Sequence, residues 1–182
     1  MAEPVCRLFF ALWPDERMQA ALAEAVGAIA TSGGGRLVPT QNLHLTLVFL
    51  GALPESRIAL LSPIAAQVAA AFSLGDEPLT VMLDRVQYWR KSQILCATAS
   101  ADPPAAVELS DALKRALIEQ GFAPDLKPFR AHATVARKVQ RVTRELEMPA
   151  VRWSFRDFHL VESRKEPNGS IYSSREKWPL DK

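Results

Sequence analysis

The sequence predicts an α+β fold of two pseudo-symmetric lobes, each a mainly antiparallel sheet flanked by helices, closing around a central cleft. Three observations predict it. The hydrophobic pattern alternates strands and helices throughout, with no low-complexity segment and no linker. A helix followed by a strand reading His-x-Thr-x occurs once in each half, with the two histidines 88 positions apart. A length of 182 residues, with 48% hydrophobic and 23% charged side chains, fits one bilobal domain spanning 1–182.

The apolar, aromatic run at 7–12 predicts a buried strand. Pro14, Asp15 and Glu16 then start a helix, with proline near its first position and acids facing the dipole. Its stripe is Met18, Leu22, Val26 and Ile29, and the glycines at 33–35 stop it. Pro39 leads into the first motif strand, which ends at Gly51. A helical segment runs from Pro54 to about residue 72, where Pro63 is expected to kink or split it. Residues 79–86 and 93–99 predict two strands joined by a turn region at 88–92. Asp102, Pro103 and Pro104 are read as the cap of a third helix, which Gly121 ends. The second motif strand follows Pro128. The polar segment 140–149 reads as loop or short helix, and 153–161 and 170–177 as two closing strands around an Asn168-Gly169 turn.

Net charge is only +2, which disfavours a purely electrostatic nucleic-acid coat. Lys127, Arg130, Arg137, Lys138, Arg141 and Arg144 nevertheless fall in one stretch that holds no acid and surrounds the second motif. A local positive field there suits an anion such as phosphate, although charge alone describes a solvated basic face equally well. Cys6 and Cys96 are far apart and lack C-x-x-C spacing, so free thiols in a reducing cytoplasm are expected. The apolar run at 8–13 is too short to cross a bilayer. No membrane association and a monomer are expected.

The chemistry rests on His44-Leu45-Thr46-Leu47 and His132-Ala133-Thr134-Val135. In an extended strand, residues i and i+2 share a face, so each stretch buries its apolar residues and shows an imidazole and a hydroxyl. An unperturbed imidazole titrates near ~6.5 and gives or takes a proton near neutral pH. Two such rings flanking a phosphorus centre suit general acid–base catalysis, with Thr46 and Thr134 donating to non-bridging phosphate oxygens. Arg130 has the strand parity of His132 and Thr134, which places its guanidinium on the same face as a phosphate clamp. Taken singly, either histidine reads as structural. The repeated threonine is what favours a site. His159 has no threonine at i+2 and reads as structural, Trp89 and Tyr172 read as packing residues able to stack on a base, and Arg137 contributes only to the field.

The stretches Arg7-Leu8-Phe9-Phe10-Ala11-Leu12, Asn42 to Gly51, and Pro128 to Arg137 resemble bacterial RNA 2′,3′-cyclic phosphodiesterases of the two-histidine phosphoesterase superfamily, also called 2′-5′ RNA ligases. Residues 160–163, 169–172 and 178–180 fit the same pattern, so the resemblance covers nearly the whole chain. It implies hydrolysis of terminal 2′,3′-cyclic phosphates of RNA to 2′-phosphomonoesters, with no cofactor and no metal. It further implies that His44 protonates the departing 3′ oxygen and that His132 activates water, with 2′-5′ ligation as a secondary, reverse activity. One position departs: a proline is usual in the family where Ala131 stands, so the backbone before His132 lacks a fixed φ. Alternatives that use the same residues are a 2′-5′ oligonucleotide or cyclic-nucleotide phosphodiesterase and a non-catalytic RNA-end binding module. A zinc site is disfavoured, because the three histidines lack ligand spacing.

Overall fold

The computed structural model describes residues 3–140, 146–167 and 169–180. Asn168 of the expected turn, Arg141, Arg144 and half of the ambiguous polar segment lie outside these residues, and its last four residues, 146–149, are strand and neither loop nor helix. In chain order the elements are β1 (Val5–Leu12), α1 (Glu16–Ser32), β2 (Arg36–Leu37), β3 (Leu45–Pro54), α2 (Glu55–Ile58), α3 (Leu61–Ala71), β4 (Leu79–Trp89), β5 (Ile94–Thr98), α4 (Pro104–Glu119), β6 (His132–Arg137), β7 (Leu146–Phe155), β8 (Asp157–Glu166) and β9 (Gly169–Pro179). One sheet has the order β3-β1-β8-β9 and the other β2-β6-β5-β4-β7. Every pairing in both is antiparallel. The fold is therefore α+β with two antiparallel sheets.

Leu8 to Leu12 are all buried, without the alternation of a surface strand. Strand β1 lies inside its sheet, between β3 and β8. Its Leu8, Phe10 and Leu12 enter the main core, whereas Phe9 and Ala11 join Val161 in a small second cluster on the opposite face. A strand covered on both faces reads as a continuous apolar run. The helices cover the other sides of the sheets. Helix α1 packs on β6 and β7, while α4 packs on β3 and α3 on β9.

Helix boundaries follow local chemistry. Asp15 Oδ1 accepts the Met18 N–H at 2.8 Å, the expected start of α1. The segment after Pro54 is split, but at residues 59–60 and not at Pro63. Pro63 sits in the first turn of α3, where a missing N–H removes no intrahelical bond. Gly121 follows α4 with φ +74, a conformation that glycine adopts without a Cβ clash. Asp102 does not cap α4. The capping position is Pro103, whose carbonyl accepts the Ala106 and Val107 N–H groups, and the Asp102 carboxylate accepts the Ala131 N–H instead.

Two strand assignments change. The run 153–161 is not one strand but the end of β7 and the start of β8, which lie in different sheets. The burial parity shows why: Val151, Trp153 and Phe155 are buried at odd positions, Arg156 is exposed, and Phe158 and Leu160 are buried at even ones. The turn after β4 is also shorter than expected, so Tyr88 and Trp89 remain in the strand.

The echo between the two halves extends to strand irregularities. In β3, pairing with β1 skips Leu47 and again Leu50, and in β6, pairing with β5 skips Val135. Leu47 and Val135 each stand three after a motif histidine. Such a bulge inverts the parity of whatever follows it. Both bulge carbonyls find partners outside their ladder: Leu47 O accepts the buried Ser110 hydroxyl at 2.7 Å, and Val135 O accepts the Val38 N–H at 2.9 Å.

Candidate active site

Strands β3 and β6 belong to different sheets yet approach each other, with Cα atoms within 8 Å. Between them opens a cleft of about 330 Å³ lined by His44, Thr46, His132 and Thr134, together with Phe49 and Arg137. His44 stands immediately before β3 and His132 opens β6. All four motif side chains are half-buried, off the main core.

The two imidazoles are anchored alike. His44 Nδ1 lies 2.7 Å from Asn42 O, and His132 Nδ1 lies 2.7 Å from Arg130 O. A carbonyl only accepts, so Nδ1 carries the proton in both rings and Nε2 is left for a ligand. The His44 anchor is itself held in place. Buried Gln19 on α1 donates to Gln41 O and Leu43 O at 3.1 Å each, and Asn42 Nδ2 donates to Ser170 O at 3.1 Å.

Aromatic neighbours fix the ring planes. Trp13 stacks on His44 at 5.0 Å and 6°, Phe9 lies at 5.0 Å, and Tyr172 meets the ring edge-on at 5.2 Å. Trp89 lies 4.6 Å from His132, tilted by 47°. These rings remove water from the imidazoles, which disfavours the charged form. Burial therefore pushes His44 down to about 4, with the Arg137 and His132 charges acting in the same direction. Burial lowers His132 too, but there the Asp102 carboxylate pulls the other way.

A pH effect on stability follows. The fold favours neutral His44, whereas an unfolded chain protonates near ~6.5. The associated stability is complete above that pH and is lost as pH falls from 6.5 toward about 4, by on the order of 3 kcal/mol. Thermal melts of His44→Gln should fall less between pH 7 and pH 4.5 than those of the parent protein. Equal falls would contradict the assignment.

Arg137 and Arg130 exchange places relative to expectation. Strict alternation puts Arg130 beside His132 and turns Arg137 away. Arg130 lies before β6, is exposed, and turns its carbonyl to His132, while its side chain lines a neighbouring cavity of about 320 Å³ with Trp89, Lys127 and His132. The bulge at Val135 brings Arg137 onto the face of His132 and Thr134. On the opposite wall the equivalent position, five after His44, is Phe49, with Arg7 over its ring at 4.7 Å. The two equivalent positions thus differ in kind, a guanidinium on β6 and an aromatic ring on β3. The sequence reading also missed Trp13 and Asp102, because an aromatic at a strand end and an acid before two prolines carry ordinary structural explanations.

Other candidates lie elsewhere. His159 bonds Ser174 Oγ at 2.9 Å and Asp157 at 3.2 Å, outside the cleft. Burial pushes the Cys96 thiol up to about 12, which keeps it out of nucleophilic chemistry near neutral pH. Among the described residues, no group of three or more His, Cys, Asp or Glu is arranged to hold a metal. No described helix is long and apolar enough to cross a membrane.

Comparison with known proteins gives the family. Residues 15–167 match the family described as the 2′-5′ RNA ligase superfamily. This chain belongs to that superfamily. Within it, the chain is 30% identical over 186 residues to an RNA 2′,3′-cyclic phosphodiesterase of Thermus thermophilus, covering 96% of this chain and 90% of the relative. It is 25% identical over 182 residues to the Escherichia coli K12 protein of the same name, covering 99% of each. The crystal structure of E. coli LigT in apo form superposes with a TM-score of 0.83 at 22% identity, over the full length of both chains, and so shares the superfamily fold.

Proposed function

We propose that this chain, acting as one bilobal unit, hydrolyses terminal 2′,3′-cyclic phosphates of RNA to 2′-phosphomonoesters. One observation carries the reading. His44 and His132, from separate sheets, line one cleft with Nδ1 tied to a backbone carbonyl and Nε2 left for a ligand. The names of the Thermus and Escherichia relatives support the substrate class.

In the proposed reaction His132 Nε2 takes a proton from water as its oxygen bonds to phosphorus. The bond from phosphorus to the 3′ oxygen breaks, and His44 Nε2–H gives its proton to that oxygen. The products are a 2′-phosphate and a 3′ hydroxyl, and solvent exchange resets both rings. Thr46, Thr134 and Arg137 meet the non-bridging oxygens, where charge grows in the transition state. The surroundings suit these roles. An imidazolium beside Arg137 surrenders its proton readily, and the Asp102 carboxylate offsets part of the burial that lowers the proton affinity of His132. The substrate's anionic phosphate, placed between the rings, offsets the low proton affinity of His44. The free thiols of Cys6 and Cys96 fit a reducing cytoplasm.

A second substrate reading has its own support. The adjoining cavity beside His132 offers Trp89 as a stacking surface and Lys127 and Arg130 as cations, room suited to a second nucleoside. Cleavage or formation of a 2′-5′ linkage uses such a place.

Both readings are tested together. An RNA oligomer ending in 2′,3′-cyclic phosphate and a 2′-5′-linked dinucleotide are incubated with the protein in EDTA. Conversion of the oligomer to a 2′-phosphate end is expected. An oligomer bound but unchanged would leave a binding module and sink the hydrolase. Turnover of the dinucleotide alone would establish the second reading instead.

A further inference from the structure

We propose that Asp102 is a positioning residue for His132 and acts through the peptide group between Arg130 and Ala131. Asp102 Oδ1 accepts the Ala131 N–H at 2.7 Å, and Arg130 O accepts from His132 Nδ1 at 2.7 Å. That N–H and that C=O belong to one planar amide. The order is therefore carboxylate, amide, imidazole. A carboxylate on the N–H draws the amide toward its charge-separated form, making the carbonyl oxygen a stronger acceptor for Nδ1–H. The result is a fixed ring and a more basic Nε2, which is what the residue activating water requires. This role rests on the hydrolase reading, but the chain of hydrogen bonds does not.

The next peptide group, between Ala131 and His132, is held as well. Ala131 is buried, and its carbonyl accepts the Ala99 N–H at 3.2 Å. Asp102 is held between Thr98, the end of β5, and the prolines that open α4. A proline at 131 fixes φ but has no N–H to give. Alanine there leaves the donor, and Asp102 uses it. The equivalent position before β3 is different in kind. His44 Nδ1 meets Asn42 O, but the N–H of that amide, on Leu43, goes to the neutral Thr40 carbonyl at 3.0 Å. Only His132 is backed by a carboxylate in this way, so the relay separates two otherwise similar imidazoles.

Other charges face His132 and form the background against which Asp102 acts. Lys114, Asp125, Lys127 and Arg130 share the adjoining cavity with it. Arg7, Arg137, Lys165 and the His44 ring share the cleft. Lys127 is paired with Asp125 at 3.2 Å, and Lys114 with Asp111 at 3.4 Å. Arg130 gives its backbone carbonyl to the amide that joins Asp102 to His132, while its side chain lines the adjoining cavity.

The test is an ¹⁵N NMR titration of both imidazoles in the unliganded protein, for the parent, Asp102→Asn, Ala131→Pro and the double variant. Asp102→Asn keeps a carbonyl oxygen able to hold the Ala131 N–H but removes the charge. It should lower the proton affinity of His132 about three- to tenfold, leave His44 in place, and shift the Ala131 amide proton upfield. In the Ala131→Pro background the same substitution should have no further effect on His132. An unmoved His132 would overturn the proposal, as would equal movement of both histidines or a full-sized effect in the proline background. If Ala131→Pro does not fold, the Asp102→Asn titration and the Ala131 amide shift decide alone. With substrate, kcat of Asp102→Asn should fall at unchanged KM, with the acid limb moved to lower pH. The titrations need no turnover, so failure of the hydrolase reading and failure of the relay are told apart.

Discussion

His132→Ala and His44→Ala should each lower kcat on a cyclic-phosphate oligomer by about 10²–10⁴-fold, with substrate still bound. The size follows from what each ring does. Without His132, water must attack as an unassisted neutral nucleophile. Without His44, the 3′ oxygen must leave as an alkoxide. Both side chains are half-buried off the main core, so the variants should fold. The ring contacts differ, however: His44 is packed among Trp13, Phe9 and Tyr172, and His132 among fewer groups. His44→Gln is the better control for packing, and it should be as inactive as His44→Ala. The double variant should be little worse than either single one, because the two proton transfers serve one step and residues that act as a unit are not additive. Steady-state kinetics with melting curves checks all four proteins. Activity within a few-fold of the parent in either single variant would remove that histidine from the reaction.

Arg137→Ala should cost about 10²–10³-fold in kcat/KM. The guanidinium is the one cation on β6 that the bulge at Val135 turns onto the face of His132 and Thr134. Its fork matches two phosphate oxygens, which a lysine ammonium does not, so Arg137→Lys should recover only part of the loss. The same substitution has a second readout. Arg137 is one of the groups holding His44 low, so its removal should raise the pH at which His44 titrates. A drop in turnover without any movement of His44 would place the guanidinium elsewhere in solution. Arg130→Ala should act more weakly, and chiefly on longer or 2′-5′-linked substrates, because its side chain lines the adjoining cavity.

These two arginines show what the residue pattern reveals and where it stops. Period-two alternation is enough to put His44 with Thr46 and His132 with Thr134, and all four line one cleft. Alternation fails one turn of the pattern later. A single unpaired residue at Val135 reverses the count, so the basic side chain that joins the pair is five positions after the histidine and not two before it. The clue is the apolar doublet in each motif, Leu47-Val48 and Val135-Ala136, in which two adjacent buried residues interrupt the alternation. The same kind of parity change marks the passage from β7 to β8 at Arg156. Asp102 was hidden for another reason. An acid ahead of Pro103 and Pro104 is a common helix start, and only the fold brings its carboxylate to the amide just before β6, 29 residues away.

The division of labour between the histidines is open to one direct measurement. A cyclic phosphate with sulfur in place of the 3′ bridging oxygen has a leaving group that departs without a proton. On this substrate His44→Ala should regain most of the parent rate, whereas His132→Ala should remain as impaired as on the oxygen substrate. Rescue of His132→Ala instead, or of neither variant, would contradict an acid just before β3 and a base on β6.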